Sequence, residues 1–420
     1  MCAVSLNFHN TIAKLCYEKF CSLPKNGKPK ENEWTILSCI ILEEINTFEV
    51  VALGTGSKCI GHDKMSQYGD VLNDSHAEVV CRRAFMRYIY ESILSQSSDK
   101  FIFDTDTHTF KLKDSIKFHF FSTHVPCGDA AIFVKQNAED FGDLIKDEDF
   151  VCAQNVLKRK GDTLDDMGKK KIKLQENNTN DIFRTGAKCL KSDIKQDLHQ
   201  KGVDFHVTGV VRTKPGRGIP TLSVSCSDKL AKWCHLGVQG ALLSIVLSKP
   251  IYLSSVTIAG GTPYNEVAMQ RALFNRLGDV SLESPYCVNE IVFGQADLQF
   301  LHEKTHEKNP CSSSIAWFQG DNISRQVEVV IDGRRQGTTK KQLKTSGGLK
   351  ICKRDFFKYF VNVIKHFKIK LENIDPLDKL SYKEAKLNAK KYQKAWTTLK
   401  KCFKNWTVKD ESFLDFYLHI

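Results

Sequence analysis

Apolar residues recur at helical spacing over residues 8–21, which predicts a helix. A Pro-, Lys- and Asn-rich connector follows at 22–33. Residues 34–45 are a strongly apolar run and predict a buried strand; 48–53 predict the next strand, ending at Gly54-Thr55-Gly56. Residues 76–90 predict a helix, with Asp74 or Ser75 as its N-cap. An alternating stretch at 117–122 predicts a short strand that leads into Pro126-Cys127, where a strand-to-helix turn is expected. Further on, 237–247 predict a helix, 251–258 a strand, and 265–278 and 353–365 two more helices. Residues 382–403 predict one long lysine-rich helix. Strands alternating with helices in this way imply an α/β layered domain. No internal repeat is visible.

Residues 135–206 break the pattern. They are polar, contain Asn177-Asn178-Thr179-Asn180, and imply a long surface insertion that is partly disordered. Order returns at Val207-Thr208-Gly209. The expected plan is an N-terminal helical extension at 1–33, then one domain at 34–420 carrying this insertion. Inside the insertion, Lys158-Arg159-Lys160 and Lys169-Lys170-Lys171-Ile172-Lys173 have the layout of a bipartite nuclear import signal; a solvated charge run reads about as well.

Composition narrows the picture. The 420 residues are 41% hydrophobic and 10% aromatic, enough for a large core, and the formal net charge of +12 favours a polyanionic partner, most simply nucleic acid. The 15 cysteines are scattered and odd in number, with no secretory leader before them, so they read as reduced thiols in the nucleus, the cytoplasm or both. No run is apolar for long enough to span a membrane. No obligate protein partner is evident.

The chemistry concentrates in His76-Ala77-Glu78, Pro126-Cys127 and Ser225-Cys226-Ser227-Asp228-Lys229. Catalytic zinc takes three protein ligands and keeps one position open for a water that it acidifies. His76 offers a nitrogen and Cys127 a thiolate, while Glu78 is two residues past the histidine, within reach of that water without binding the metal. This follows the H-x-E…P-C-x-x-C signature of the zinc deaminases that act on nucleobases. Ala130 stands where the second cysteine of the signature would be, so another residue must complete the set, and Cys226 is the candidate.

Gly54-Thr55-Gly56-Ser57-Lys58-Cys59-Ile60, Leu72-Asn73-Asp74-Ser75-His76-Ala77-Glu78, Pro126-Cys127-Gly128-Asp129 and the Ser225–Lys229 block together resemble the adenosine-to-inosine deaminase domain. That domain is shared by double-stranded-RNA editing enzymes and tRNA-acting deaminases. The resemblance implies a cytidine-deaminase-like fold, a three-layer α-β-α domain with a central mixed sheet, plus additional C-terminal helices. It implies one zinc ion held by His76, Cys127 and Cys226, with Glu78 as the catalytic proton carrier. It also implies a buried inositol hexakisphosphate, with Asn73, Arg82, Arg83, Lys214, Lys229, Lys232, Lys353, Tyr382, Lys386, Tyr392, Trp406 and Lys409 at matching positions. Trp396 stands where the duplex editors have lysine, so Lys394 or Lys400 is the expected substitute there; Ala241 replaces a serine of those editors.

Arg184-Thr185-Gly186-Ala187-Lys188-Cys189 and Lys214-Pro215-Gly216-Arg217-Gly218 resemble the tRNA branch. Arg217 stands where the duplex editors use a glutamate to fill the gap left by a flipped base, and Ala131 where they have arginine. A loop base of tRNA needs no such wedge. The implied substrate is the anticodon loop of alanine tRNA, at the adenosine just 3′ of the anticodon (position 37), with Ser57, Lys58, Lys188 and Arg217 touching RNA. A duplex-RNA editor, a cytidine or free-nucleoside deaminase, and an RNA-binding pseudoenzyme with structural zinc are the alternatives.

Overall fold

In the computed structural model, the described residues are 6–95, 99–135, 181–190, 206–216, 219–320, 326–339, 348–372 and 377–418, with Asp197 and Gly202. Most of the 135–206 insertion, both its basic clusters, and Arg217 lie outside them.

The first two apolar runs form a hairpin of β1 (Leu37–Glu44) and β2 (Thr47–Thr55). Ile45 and Asn46 close it with φ of 48° and 63°. Positive φ at both central positions is the turn whose twist matches that of paired strands. Six more strands extend the pair: β3 (Ile116–Ser122), β4 (Ser255–Gly260), β5 (Val292–Gln299), β6 (Ser313–Phe318), β7 (Val327–Ile331) and β8 (Arg334–Arg335). The order across the sheet is β5-β4-β3-β1-β2-β6-β7-β8. Strands β3, β4 and β5 run parallel and the other neighbours antiparallel, so the sheet is mixed.

Alternation along the strands gives the sheet two apolar faces. On one, Leu37, Cys39, Ile41, Leu53 and Phe121 pack against Ile12, Cys16 and Phe20 of α1 (Leu6–Ser22). On the other, Ile40, Leu42, Val51, Phe118, Phe120 and Ile258 join the larger core beneath α2 (Ala77–Leu94), α3 (Cys226–Leu236), α4 (Gly240–Val246), α5 (Glu266–Leu273) and α6 (Lys353–His366). α2 lies so close to β2 that a Cβ at Gly54 would sit 2.3 Å from the Cys81 nitrogen and 2.6 Å from the Ala77 oxygen. That close approach fixes where the helix begins relative to the sheet, and so where His76 and Glu78 sit.

Several boundaries differ from expectation, each for a local reason. Asp74 and Ser75 do not cap α2; they belong to a strand, Asp74–His76, paired with Ser57–Cys59, and His76 is the N-cap. The turn after Cys127 leads into a single 3-10 turn, Asp129–Ala131, and a two-residue strand, Phe133–Val134, instead of a helix. There the Asp129 carboxylate is taken by the Gly209 N–H and the Arg271 guanidinium. The lysine-rich C-terminal stretch is two helices, α7 (Tyr382–Leu387) and α8 (Lys390–Cys402), parted where Asn388 Nδ2 donates to the Glu384 carbonyl and Ala389 leaves helical ψ. The cysteines among the described residues are all free, and no helix among them is long and apolar enough to cross a membrane.

Candidate active site and basic chamber

The strand pair at the start of α2 sets His76 opposite Ser57, and Ser75 opposite Lys58. Gly56 locks the corner: its N–H donates to the Ile36 carbonyl and its carbonyl accepts from the Ala77 N–H. His76 Nδ1 lies 2.8 Å from Asp74 Oδ1, and the same oxygen accepts the His76 backbone N–H at 3.0 Å. A carboxylate on one ring nitrogen is the arrangement that orients a histidine to bind a metal through the other.

Cys127 and Cys226 come together from opposite ends of a long sequence gap, with the Cys226 N–H donating to Cys127 Sγ at 3.3 Å. A hydrogen bond with the Cys226 thiol pulls the Cys127 thiol down to about 6; burial opposes this, and Lys214 and His76 add to it. Burial and the shared proton push Cys226 up. Lys214 Nζ stands 2.9 Å from Cys226 Sγ and 2.8 Å from Asp74 Oδ2, on a side chain that is fully buried. Burial disfavours its charge, yet Asp74 and Cys226 keep it protonated. Asp74 feels burial too, but Lys214, Lys229 and His76 hold its carboxyl well below the usual range. Glu78 is 2% exposed, and its Oε2 has no hydrogen-bond partner. A buried carboxylate oxygen without a partner is costly and marks a place where a substrate or water belongs.

Among the described residues no group of three or more His, Cys, Asp or Glu side chains is placed so that it could hold a metal ion. The donor set still fits a zinc ion: one oriented imidazole, two adjoining sulfurs of which one ionises readily, and a lysine that tempers the negative charge.

Behind this group lies a basic chamber. Two adjoining cavities of about 250 Å³ and 230 Å³ share Arg82, Arg83, Lys232 and Tyr392 in their walls. The first adds Asn73, Lys229, Lys353, Trp406 and Lys409; the second adds Tyr382, Lys386, Ala241 and Trp396. Asp74 is the one acidic residue in either wall. The cations find mostly carbonyls and rings: Arg83 Nε donates to the Ile351 carbonyl at 2.6 Å, Lys353 Nζ to the Phe413 carbonyl at 3.0 Å, and Lys232 Nζ sits 3.5 Å from the Trp396 ring centroid. Arg82 Nε is buried with no partner. Burial and mutual repulsion push Lys353 down to about 7 and Lys409 to about 8; burial, then Arg83, lowers Arg82 to about 10. Lys232 also falls, through burial and then Lys386 and Arg82. So many cations gathered with a single carboxylate suit the chamber chemically to a dense polyanion.

The structure thus brings Glu78, His76, Cys127 and Cys226 together, with Ser57 and Lys58 alongside. It gathers Asn73, Arg82, Arg83, Lys229, Lys232, Lys353, Tyr382, Lys386, Tyr392, Trp406 and Lys409 around the chamber. Lys214 is not in the chamber walls; it bridges Asp74 to Cys226. Lys188 is exposed on a short strand, Lys188–Cys189. Neither expected substitute fills the Trp396 position: Lys394 is exposed and pairs with Glu283, Lys400 is exposed, and neither lines a wall. Asp74 was missed as a functional residue. Its signal is faint, a carboxylate two residues before the candidate metal-donor histidine. Thr185, which holds the Cys127 loop, lies in the Arg184–Cys189 block, but nothing in that block discloses its partner.

Residues 52–410 match the adenosine-deaminase (editase) domain. The chain is 36% identical over 396 residues to tRNA-specific adenosine deaminase 1 of Drosophila melanogaster, covering 92% of this chain and 90% of that protein. It is 34% identical over 488 residues to the Homo sapiens protein of the same name, covering 92% and 95%. To the double-stranded RNA-specific adenosine deaminase of Mus musculus it is 27% identical over 406 residues, covering 92% of this chain but 30% of that protein. A match of this extent places the molecule: the chain belongs to the adenosine-deaminase (editase) family and is an enzyme that deaminates adenosine.

Proposed function

We propose that the chain is a zinc-dependent deaminase that converts adenosine to inosine in tRNA, at position 37 of alanine tRNA, and that its basic chamber holds inositol hexakisphosphate. The observation that carries the reading is the unpartnered buried oxygen of Glu78 beside the His76, Cys127 and Cys226 donors. When bound, zinc supplies the Lewis acidity that brings a water's pKa to roughly 7. Hydrolysis adds one water and releases ammonia. Glu78 is positioned to accept the water's proton, pass it to N1 of the adenine ring and support protonation of the departing amine. Asp74 fixes the His76 ring, and Lys214 offsets the charge of the sulfurs.

Two relatives that match nearly end to end are named for tRNA, and they favour that substrate over duplex RNA. Arg217 and Ala131, by resemblance, point the same way. A cytidine-deaminase-like arrangement of the layers, with 1–33 as an extension and 34–420 as the domain, belongs to the same reading. So does residence in the nucleus, the cytoplasm or both.

The test is direct. The purified chain is incubated with transcribed alanine tRNA; inosine is located by sequencing, ammonia is measured, and bound zinc is counted by elemental analysis. Glu78→Gln should keep its zinc and lower kcat by about 10²- to 10⁴-fold. Retained turnover in that variant, full activity in metal-free protein, or inosine in long duplex RNA but none in tRNA would each overturn the reading.

A further inference from the structure

The loop that bears Cys127 is fastened from several sides. The Ser227 hydroxyl lies 3.0 and 2.9 Å from the Pro126 and Cys127 carbonyls and accepts the Ala130 N–H at 3.1 Å. Those contacts come from α3, which itself carries Cys226. Asp129 is held by the Gly209 N–H at 2.6 Å and by Arg271 Nε at 3.0 Å. A further fastening is of another kind. The N–H of Gly128, the residue next to Cys127, donates to Thr185 Oγ1 at 3.0 Å, and that oxygen also accepts the Ala187 N–H at 3.2 Å.

Gly128 has little freedom to find a different acceptor. Its φ is +105°, and a Cβ there would sit 2.2 Å from Ser225 Oγ. Thr185 belongs to residues 181–190, a described stretch of the insertion. One end of that segment pairs Ile182–Phe183 with Phe133–Val134, and the other pairs Lys188–Cys189 with Arg212–Thr213. The buried Arg212 guanidinium pairs with Asp197 and donates to the Val207 carbonyl at 2.5 Å. Between the two pairings burial alternates: Thr185, Ala187 and Cys189 face in, while Gly186 and Lys188 face solvent. One short stretch therefore presents a cation outward and grips the metal-ligand loop inward, three residues apart.

We propose that Thr185 is a positioning residue that couples contact between an RNA phosphate and Lys188 to the placement of the Cys127 loop. The coupling rests on the RNA-deaminase reading above. A phosphate held by Lys188 narrows the motion of the segment, and the Thr185 hydroxyl transmits that restriction to Gly128, and so to Cys127. The loop's other fastenings, from Cys226, Ser227, Gly209 and Arg271, involve no residue of that segment.

The experiment uses the full chain loaded with zinc, transcribed alanine tRNA, and the variants Thr185→Val and Thr185→Ser. Two quantities are read: kcat and KM for the tRNA, and the rate at which a chelator strips zinc with and without tRNA. In the unmodified chain tRNA should slow stripping. Thr185→Val should lose that protection and lower kcat by about tenfold or more, the effect of leaving a buried donor unpaired, with KM little changed. Thr185→Ser, which keeps the hydroxyl, should restore both. Three results would overturn the proposal: tRNA fails to protect zinc in the unmodified chain, Thr185→Val keeps protection and kcat while only its melting temperature falls, or Thr185→Ser is as impaired as Thr185→Val. If the unmodified chain makes no inosine from tRNA, yet tRNA protects its zinc and not that of Thr185→Val, the reading of tRNA as substrate fails and the coupling stands.

Discussion

Asp74 serves both halves of the site. One of its oxygens orients His76 and the other meets Lys214 and Lys229, one beside a sulfur and one in the chamber wall. Asp74→Asn keeps the shape and removes the charge. Lys214 would then be buried facing no carboxylate, and breaking a buried pair from one side costs about 3–5 kcal/mol. The His76 ring would lose its charged anchor, a change that weakens metal affinity by about 10- to 100-fold. Denaturant unfolding and zinc titration should show both losses together; a variant with unchanged stability and unchanged zinc affinity would contradict this role. Cys226→Ala makes a sharper cut. It removes a donor and leaves the Lys214 ammonium without its sulfur, so zinc content should fall and stability with it. Full zinc occupancy in that variant would mean another residue is the third ligand.

At the scale of elements, legibility follows how honestly burial is written in polarity. β1, β2, α1 and α6 are plain in the sequence because their apolar residues are the ones they bury. α3 is hidden because Lys229 and Lys232, each only partly exposed, line the chamber, so lysines that look like a solvated face turn toward it. β5 escapes notice because much of it is exposed. The motif residues were readable one block at a time. Asp74 to Lys229 spans 155 positions and Gly128 to Thr185 spans 57, and no local pattern encodes such partners. The contact between α1 and the sheet has a further consequence. His9 Nδ1 bonds Thr257 Oγ1 at 2.8 Å, and His119, close by, bonds Ser255 and Glu43 at 2.8 Å each. Burial, then His119, lowers His9; burial lowers His119 even against Glu43. The unfolded chain therefore takes up protons at a higher pH than the folded one. Stability is intact above the ordinary histidine value of ~6.5 and declines as pH falls through it toward the lowered folded values. Corrected for the slower intrinsic hydrogen exchange of amides at lower pH, the protection of α1 should fall below that pH, and His9→Gln, which still reaches Thr257, should blunt the change. Protection that does not change between pH 7 and 5 would refute this account of the α1 contact.

Across the whole molecule, the enclosed cations make folding and anion binding one equilibrium. A ligand that binds only the folded chain stabilises it by RT ln(1 + [L]/Kd), about 2.7 kcal/mol at a hundred times Kd. Adding inositol hexakisphosphate to chain stripped of anions should therefore raise its melting temperature in a dose-dependent way. The protonation states of the wall make the prediction more specific. Lys353 is lowered to about 7 and Lys409 to about 8 by burial and neighbouring cations. Near pH 8 both are thus partly neutral in the empty chamber. A polyanion favours their charged forms, so binding must draw protons from solution. Affinity should accordingly weaken as pH rises through 7 to 9, the direction opposite to that set by ligand ionisation alone, since a more highly charged phosphate would bind better. Calorimetry at pH 8 in two buffers of different ionisation enthalpy measures the protons taken up. Lys353→Met should reduce that uptake and flatten the pH dependence. Uptake of no protons, or affinity that climbs with pH, would show that the chamber's lysines are already charged and that their neighbours satisfy them without an anion.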